Sequence, residues 1–262
     1  MTSLSPRLLV EERRRLIVEL VQRRGRATVE ELAARFDISP VTIRSDLEAL
    51  TRSAAIMRSH GGALPMPPGT ADTPPSIKEA HRHAQKRRIG HAAARMVEDG
   101  DTIILDSGST TIEIARALRQ HRWSELTVVT NGLHIALELG ANPSIRIIML
   151  GGLLRPSSHS LAGIGAEQTL SQLSADRLFL GVDGIDPGVG VTTLDPQEAA
   201  LNALMIRVSR EVVGVFDASK LGQRSPSIIA PVSALNFAIT ERGANAKCVQ
   251  AIIDNGVRVV LV

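Results

Sequence analysis

The chain has 262 residues, 44% hydrophobic and 22% charged, a length that suits two domains and a composition that supports a packed core and excludes a disordered chain. Its single cysteine, Cys248, excludes an intrachain disulfide and an all-cysteine metal cage; no apolar run reaches the ~18 residues of a membrane span, and Glu11, Glu12, Arg13, Arg14 and Arg15 interrupt the N-terminus before a signal-peptide core can form, so a cytoplasmic location is expected. The net charge is only +3, and the first 64 residues carry all of it, with eleven Lys/Arg against eight Asp/Glu, a weak pointer to nucleic acid.

Leu16, Ile17, Leu20 and Val21 recur at helical spacing and predict a first helix ending at Arg24-Gly25, where glycine suits a C-terminal cap. A second helix begins at Thr28, which forms a capping-box pattern with Glu31 and is followed by the apolar Val29, Leu32, Ala33 and Phe36. Ser39 is a good N-cap, and Pro40 suits the first position of a third helix that buries Ile43, Leu47 and Leu50. Two short helices about three residues apart, the second showing Thr42, Arg44, Ser45 and Glu48 outward, fit a helix-turn-helix whose second helix enters the DNA major groove. A plain three-helix bundle fits the same spacing. The stretch "IMRSHGGAL", residues 56–64, favours the DNA-binding alternative: it alternates around Gly61-Gly62 as a small β-wing would, and places Arg58 and His60 where they can reach phosphates. Five prolines within residues 65–75 then read as a semi-rigid linker, giving domains at 1–64 and 76–262.

Residues 76–98 look helical, with the run Lys86, Arg87, Arg88 read as a solvated face. Strand-like runs follow at 102–106, 126–130, 145–150, 177–182, 212–217, 237–240 and 257–262, separated mostly by helical stretches such as 110–119, 133–140, 165–173, 196–210 and 245–253. Near-continuous β-branched runs alternating with helices predict a mostly parallel, doubly wound α/β sheet.

Ligands of such sheets lie beyond the carboxyl ends of the strands. There the first strand is followed by "DSGSTT", where Asp106 leads into Ser107, Gly108, Ser109, Thr110 and Thr111 at a helix start that suits a phosphate, although an ordinary N-capped turn looks the same. Later strands end in Asn131-Gly132, in Gly151-Gly152 with Arg155, and in Asp183-Gly184 with Asp186. Glu198 near a helix start and Lys220 in "FDASK" are further candidates, with a dipole-complementing carboxylate and a surface lysine as the plain alternatives. The histidines lie at no metal-ligand spacing, and neither a nucleophile elbow nor a Walker lysine loop occurs, so no metal, cofactor or catalytic residue is expected.

In order along residues 12–242, "TVEELAARFDISPVTIRSDLEAL", "MRSHGGA", "DSGSTT", "VVTNG", "LGGLLR", "GVDGID", "EAAL" and "DASK" resemble the DeoR family of bacterial sugar-metabolism repressors. The resemblance implies an N-terminal winged helix-turn-helix for operator DNA and a C-terminal domain similar in fold to ribose-5-phosphate isomerase, which binds a phosphorylated sugar as effector. It points to Thr28, Ser39, Pro40, Thr42, Ile43, Arg44, Arg58, His60 and Gly61 for DNA. For the effector it points to residues 106–111, Asn131, Gly151, Gly152, Arg155, Asp183, Glu198 and Lys220. A homodimer or homotetramer is expected, since readers of two half-sites are symmetric. The sequence departs from the family at Ala54 and Gly132, where glycine and serine are usual, and at Ser45, where a basic residue is common. The alternative is an isomerase-type enzyme with an accessory DNA-binding domain, using Asp183, Asp186 or Glu198 as a base.

Overall fold

The structure, a computed structural model, describes residues 9–52, 55–59, 61–65 and 75–262 and divides into two compact units at His81/Arg82. In the first unit α1 (Val10–Arg24) stops where Gly25 turns left-handed at φ 74°. After the two-residue strand β1 (Ala27–Thr28), helix α2 (Val29–Phe36) opens on a complete capping box: Glu31 N donates to Thr28 Oγ1 at 3.1 Å and Thr28 N to Glu31 Oε2 at 2.8 Å. Asp37 turns the chain in a left-handed conformation that Asp tolerates, and α3 (Pro40–Arg52) follows. The predicted wing is the hairpin of β2 (Ile56–Ser59) and β3 (Gly62–Pro65), with β1 added to β3. Gly62 is required there, because a Cβ would sit 2.3 Å from the Ala27 carbonyl oxygen. Ile17, Leu32, Ile43 and Leu47 are fully buried between these elements, each contributing about 1.5–3 kcal/mol. A short helix α4 (Pro75–Ala80) closes the unit. Residues 66–74, the heart of the linker expected from sequence, lie outside the described residues.

The second unit is built on one parallel sheet. Helix α5 (His83–Ala94) leads into β4 (Thr102–Leu105), α6 (Thr111–Arg119), β5 (Leu126–Thr130), α7 (Leu133–Leu139) and β6 (Ile145–Met149). A hairpin of β7 (Leu153–Arg155) and β8 (Ser160–Ala162) precedes α8 (Ile164–Leu170) and β9 (Ala175–Leu180). Then come β10 (Gly184–Asp186), β11 (Gly190–Thr193), α9 (Pro196–Arg207), β12 (Ser209–Val215), β13 (Ser227–Ala230), β14 (Phe237–Thr240), α10 (Ala246–Asp254) and β15 (Arg258–Leu261). The seven strands run β6-β5-β4-β9-β12-β14-β15, every neighbouring pair parallel. These are the seven runs expected from sequence. Alternation along β4 shows why both faces are covered: Ile103 and Leu105 join a core with α5, α6 and α7, while Ile104 joins one with α8, α9 and α10. The small sheet β10-β11-β13 and the β7-β8 hairpin were not anticipated; both are short antiparallel excursions inside connections.

Candidate functional site

Beside β4 the sheet reverses its winding: β5 and β6 continue on one side, and β9, β12, β14 and β15 on the other. The crevice at such a switch point opens at the carboxyl ends of the strands, where β4 delivers Asp106 and β9 delivers Gly181. Asp106 is 3% exposed. Its Oδ1 accepts from Gly108 N at 3.0 Å and Thr111 Oγ1 at 2.8 Å, and its Oδ2 from Gly181 N at 2.9 Å. Burial pushes the Asp106 carboxyl up to about 6 against the lowering effect of those three donors, with the charge of Asp183 adding to the rise. A Cβ at Gly108 or Gly181 would come within 3.0 or 3.2 Å of this carboxylate, and one at Gly132 within 3.1 Å of Ser107 Cα, so three strand-end turns converge on one point.

The loop above Asp106 runs into α6. Ile112 N and Glu113 N return to the carbonyls of Gly108 and Thr110, which leaves the amides of Ser109, Thr110 and Thr111 without an intrahelical acceptor at the positive end of the helix. Anions are held by such an arrangement. The Thr111 hydroxyl is turned inward, fully buried among the Asp106 carboxylate, the Asp106 carbonyl and the Gly108 carbonyl; it braces the loop, so that of Thr111 the backbone amide and not the hydroxyl faces an anion.

One cation enters the loop from below. Lys86 is 3% exposed, and its Nζ donates to Ser109 Oγ at 2.9 Å. This corrects the reading of Lys86, Arg87 and Arg88 as a solvated face, which holds only for the two exposed arginines. Helical spacing carried the signal: Lys86 lies three and seven residues before the buried Ile89 and Ala93, on their face of α5. The approach is fixed by Gly90, where a Cβ would meet Glu113 Cβ of α6 at 2.6 Å.

Four sequence-selected residues join in a second network. Arg155 pairs with Glu198 at 2.9 Å and with Asp195 at 3.3 Å. Thr193 Oγ1 lies 3.1 Å from both Glu198 Oε1 and Asp183 Oδ2, and Lys220 Nζ lies 3.8 Å from Asp183 Oδ1. Asn131 is buried, donating to the Leu161 carbonyl at 3.2 Å, and its Oδ1 has no hydrogen-bond partner among the described residues. Gly152, at φ 118°, serves the β7-β8 hairpin, since a Cβ there would lie 2.4 Å from the Ala162 carbonyl oxygen; neither it nor the exposed Gly151 enters these networks. Sequence reading missed Asp217, which β12 delivers to the same edge. Burial alone would raise its carboxyl, but the Ser219 hydroxyl and amide and the charges of Lys86 and Lys220 outweigh that and hold it below the usual range.

In the first unit Ser39 Oγ accepts from Thr42 N at 3.2 Å and lies 2.9 Å from Thr42 Oγ1, capping α3 as expected with Pro40 at its first position. Arg44 and Arg58 are exposed. Thr28 caps α2, and the carbonyl of Gly61 in the wing turn accepts from Val29 N at 2.8 Å. Ile43 is corrected: it is fully buried in the core, and its side chain reaches no groove. His60 lies outside the described residues. The helix is steadied from α1, where Arg13 and Arg14 grip the buried Asp46 at 2.6 and 3.0 Å.

Residues 13–66 match the DeoR-like helix-turn-helix domain, and residues 81–242 match the DeoR C terminal sensor domain. The chain belongs to the DeoR family. It is 37% identical to the proposed aga operon transcriptional repressor of Escherichia coli O157:H7, covering 96% of this chain and 93% of that one. It is 33% identical to the glycerol-3-phosphate regulon repressor of Escherichia coli K12, covering 94% and 96%. Ribose 5-phosphate isomerase A from Neisseria gonorrhoeae overlaps 52% of each chain at 16% identity and a TM-score of 0.39. In DeoR terms, the Asp106 turn, Lys86 and the Arg155–Lys220 network all belong to the sensor domain, and no helix among the described residues is long and apolar enough to cross a membrane.

Proposed function

We propose that the chain is a cytoplasmic transcriptional repressor of a carbohydrate-metabolism operon whose operator affinity is set by a phosphorylated sugar, and that it carries out no turnover. The observation that carries this reading is the loop 107–111, set over Asp106 at the switch point, in a chain that also bears an exposed Arg44 on a capped second helix. Arg44 and Thr42 read base edges, and Ser39, Arg58 and His60 hold phosphates. The amides of residues 109–111 hold the effector phosphate. Arg155, Asp183, Glu198 and Lys220 meet its hydroxyls, with Asn131 offering the buried acceptor. The active form is a symmetric dimer or tetramer, which reads two half-sites.

Two measurements test this. Selection of duplexes from a random pool should return a sequence with two related half-sites, and glycerol 3-phosphate, ribose 5-phosphate or fructose 6-phosphate should raise the melting temperature and alter affinity for that duplex. A protein that selects no sequence and is stabilised by no phosphate ester overturns the reading. The isomerase alternative draws no support from its base candidates: Asp186 is held below the usual carboxylate range by its hydrogen bond from Arg224, Asp183 is engaged by Thr193 and Lys220, and Glu198 by Arg155 and Thr193. Conversion of ribose 5-phosphate to its ketose would reinstate it.

A further inference from the structure

Arg82 opens the second unit and is, in sequence, the residue that receives the chain from α4. It is not glycine, yet it adopts φ 54°, ψ 35°, a left-handed conformation that persists only when its surroundings impose it. The imposing groups are two buried carboxylates. Arg82 Nε lies 3.2 Å from Asp217 Oδ1, and its terminal nitrogen hydrogen-bonds Glu241; the carboxylates are 1% and 4% exposed, at the carboxyl ends of β12 and β14. The carbonyl of Arg82 accepts from Gln85 N and Lys86 N, both at 3.0 Å, so the same residue starts α5.

One turn further on, Lys86 touches Ser109 in the anion loop, and its charge also acts on Asp217. Lys86 N is itself bonded to the Arg82 carbonyl, so Ser109, Lys86, Arg82, Asp217 and Glu241 are connected from the loop to the first residue of the second unit. That connection is not saturated: Asp217 Oδ2 and Arg82 Nε are buried without a hydrogen-bond partner among the described residues. Buried polar atoms left in that state are costly and gain by being engaged.

We propose that the first turn of α5 is the coupling element of the sensor, with Lys86 a ligand of the effector's anionic group and Arg82 the fastening that transmits occupancy to the chain leading to the DNA-binding unit. This rests on the functional reading above and adds to it how the signal leaves the site. An anion on residues 109–111 pulls on the Lys86 ammonium beside Ser109; Lys86 N is hydrogen-bonded to the Arg82 carbonyl, so the pull reaches Arg82, which is paired with Asp217 and Glu241, and the left-handed exit of the chain is locked. Gly90, packed against Glu113 without a gap, stops α5 from sliding to absorb the change.

The test uses the full chain, the duplex recovered by selection, and glycerol 3-phosphate, ribose 5-phosphate and fructose 6-phosphate in turn. In the wild type the stabilising ester should change duplex affinity about 5- to 150-fold. Arg82→Gln and Glu241→Gln should each bind that ester and the duplex as the wild type does, while the ester no longer changes duplex affinity. Should Arg82→Gln fail to fold, Glu241→Gln decides, because the amide retains an oxygen for the Ala218 N–H that Glu241 accepts at 2.9 Å. Lys86→Met should lose thermal stabilisation by inorganic phosphate. A full response in Glu241→Gln, or phosphate stabilisation of Lys86→Met equal to the wild type, overturns the inference and leaves the functional reading standing. A wild type indifferent to every duplex and ester overturns both.

Discussion

The two units place their working polar groups in opposite directions. In the first, Ser39, Arg44 and Arg58 are exposed, and the one buried acid among the described residues, Asp46, is covered by Arg13 and Arg14. In the second, Asp106, Lys86, Asn131 and Asp217 are all at most 3% exposed. Under the proposed function, the size of the partner accounts for the contrast. A duplex groove is met by side chains that project from a rigid helix, whereas a small anion needs donors fixed before it arrives, and fixing them requires buried braces. Mutations should therefore separate binding from stability in the first unit and join them in the second.

The largest effect should come from Asp106→Ala, which strips the acceptor from Gly108 N, Gly181 N and the Thr111 hydroxyl at once; a loss of about 3 kcal/mol in urea unfolding is expected, together with loss of phosphate binding. Gly90→Ala should follow at about 1–3 kcal/mol, since the new methyl overlaps Glu113. The pH profile of stability sharpens the same contrast. Asp106 titrates at about 6 when folded and 3.8 when unfolded, so the native state binds more protons between those values. Its contribution, on the order of 3 kcal/mol, is fully present below about pH 4 and is lost as pH rises through 6, with about 2 kcal/mol of it lost above pH 4.5. Urea unfolding at pH 4.5 and pH 7.5 should show this difference in the wild type and not in Asp106→Ala. Arg44→Ala should leave unfolding unchanged within about 0.5 kcal/mol while removing about 1–3 kcal/mol of preference among duplexes. Equal losses of stability from Arg44→Ala and Asp106→Ala would break the comparison.

The fold was legible because the sheet is covered on both faces: every central strand is an apolar run, and each such run appears in the sequence as itself. The antiparallel excursions β7-β8 and β10-β11-β13 were not, since they are short and depend on close approaches at Gly152, Gly184 and Gly190 that only the folded chain reveals. The strand-end residues of the site were legible for the same reason as the strands, because topology alone sends them to one edge. Lys86 was hidden in a run of three basic residues, and only its register with Ile89 and Ala93 distinguishes it from Arg87 and Arg88. Asp217 stood beside Lys220 in "FDASK" but had no strand-end signal stronger than its neighbour's. Ile43 shows the converse error: a residue inside a motif can serve the core and not the function of the motif.

The bond from Gly181 N to Asp106 Oδ2 closes the anion loop across 75 residues of chain, while the first unit is finished by residue 81. Domains emerge from the ribosome in chain order, so residues 1–81 are made well before β9, and a chain truncated before β9 would keep the whole first unit while lacking the Gly181 N–H that closes the turn over Asp106.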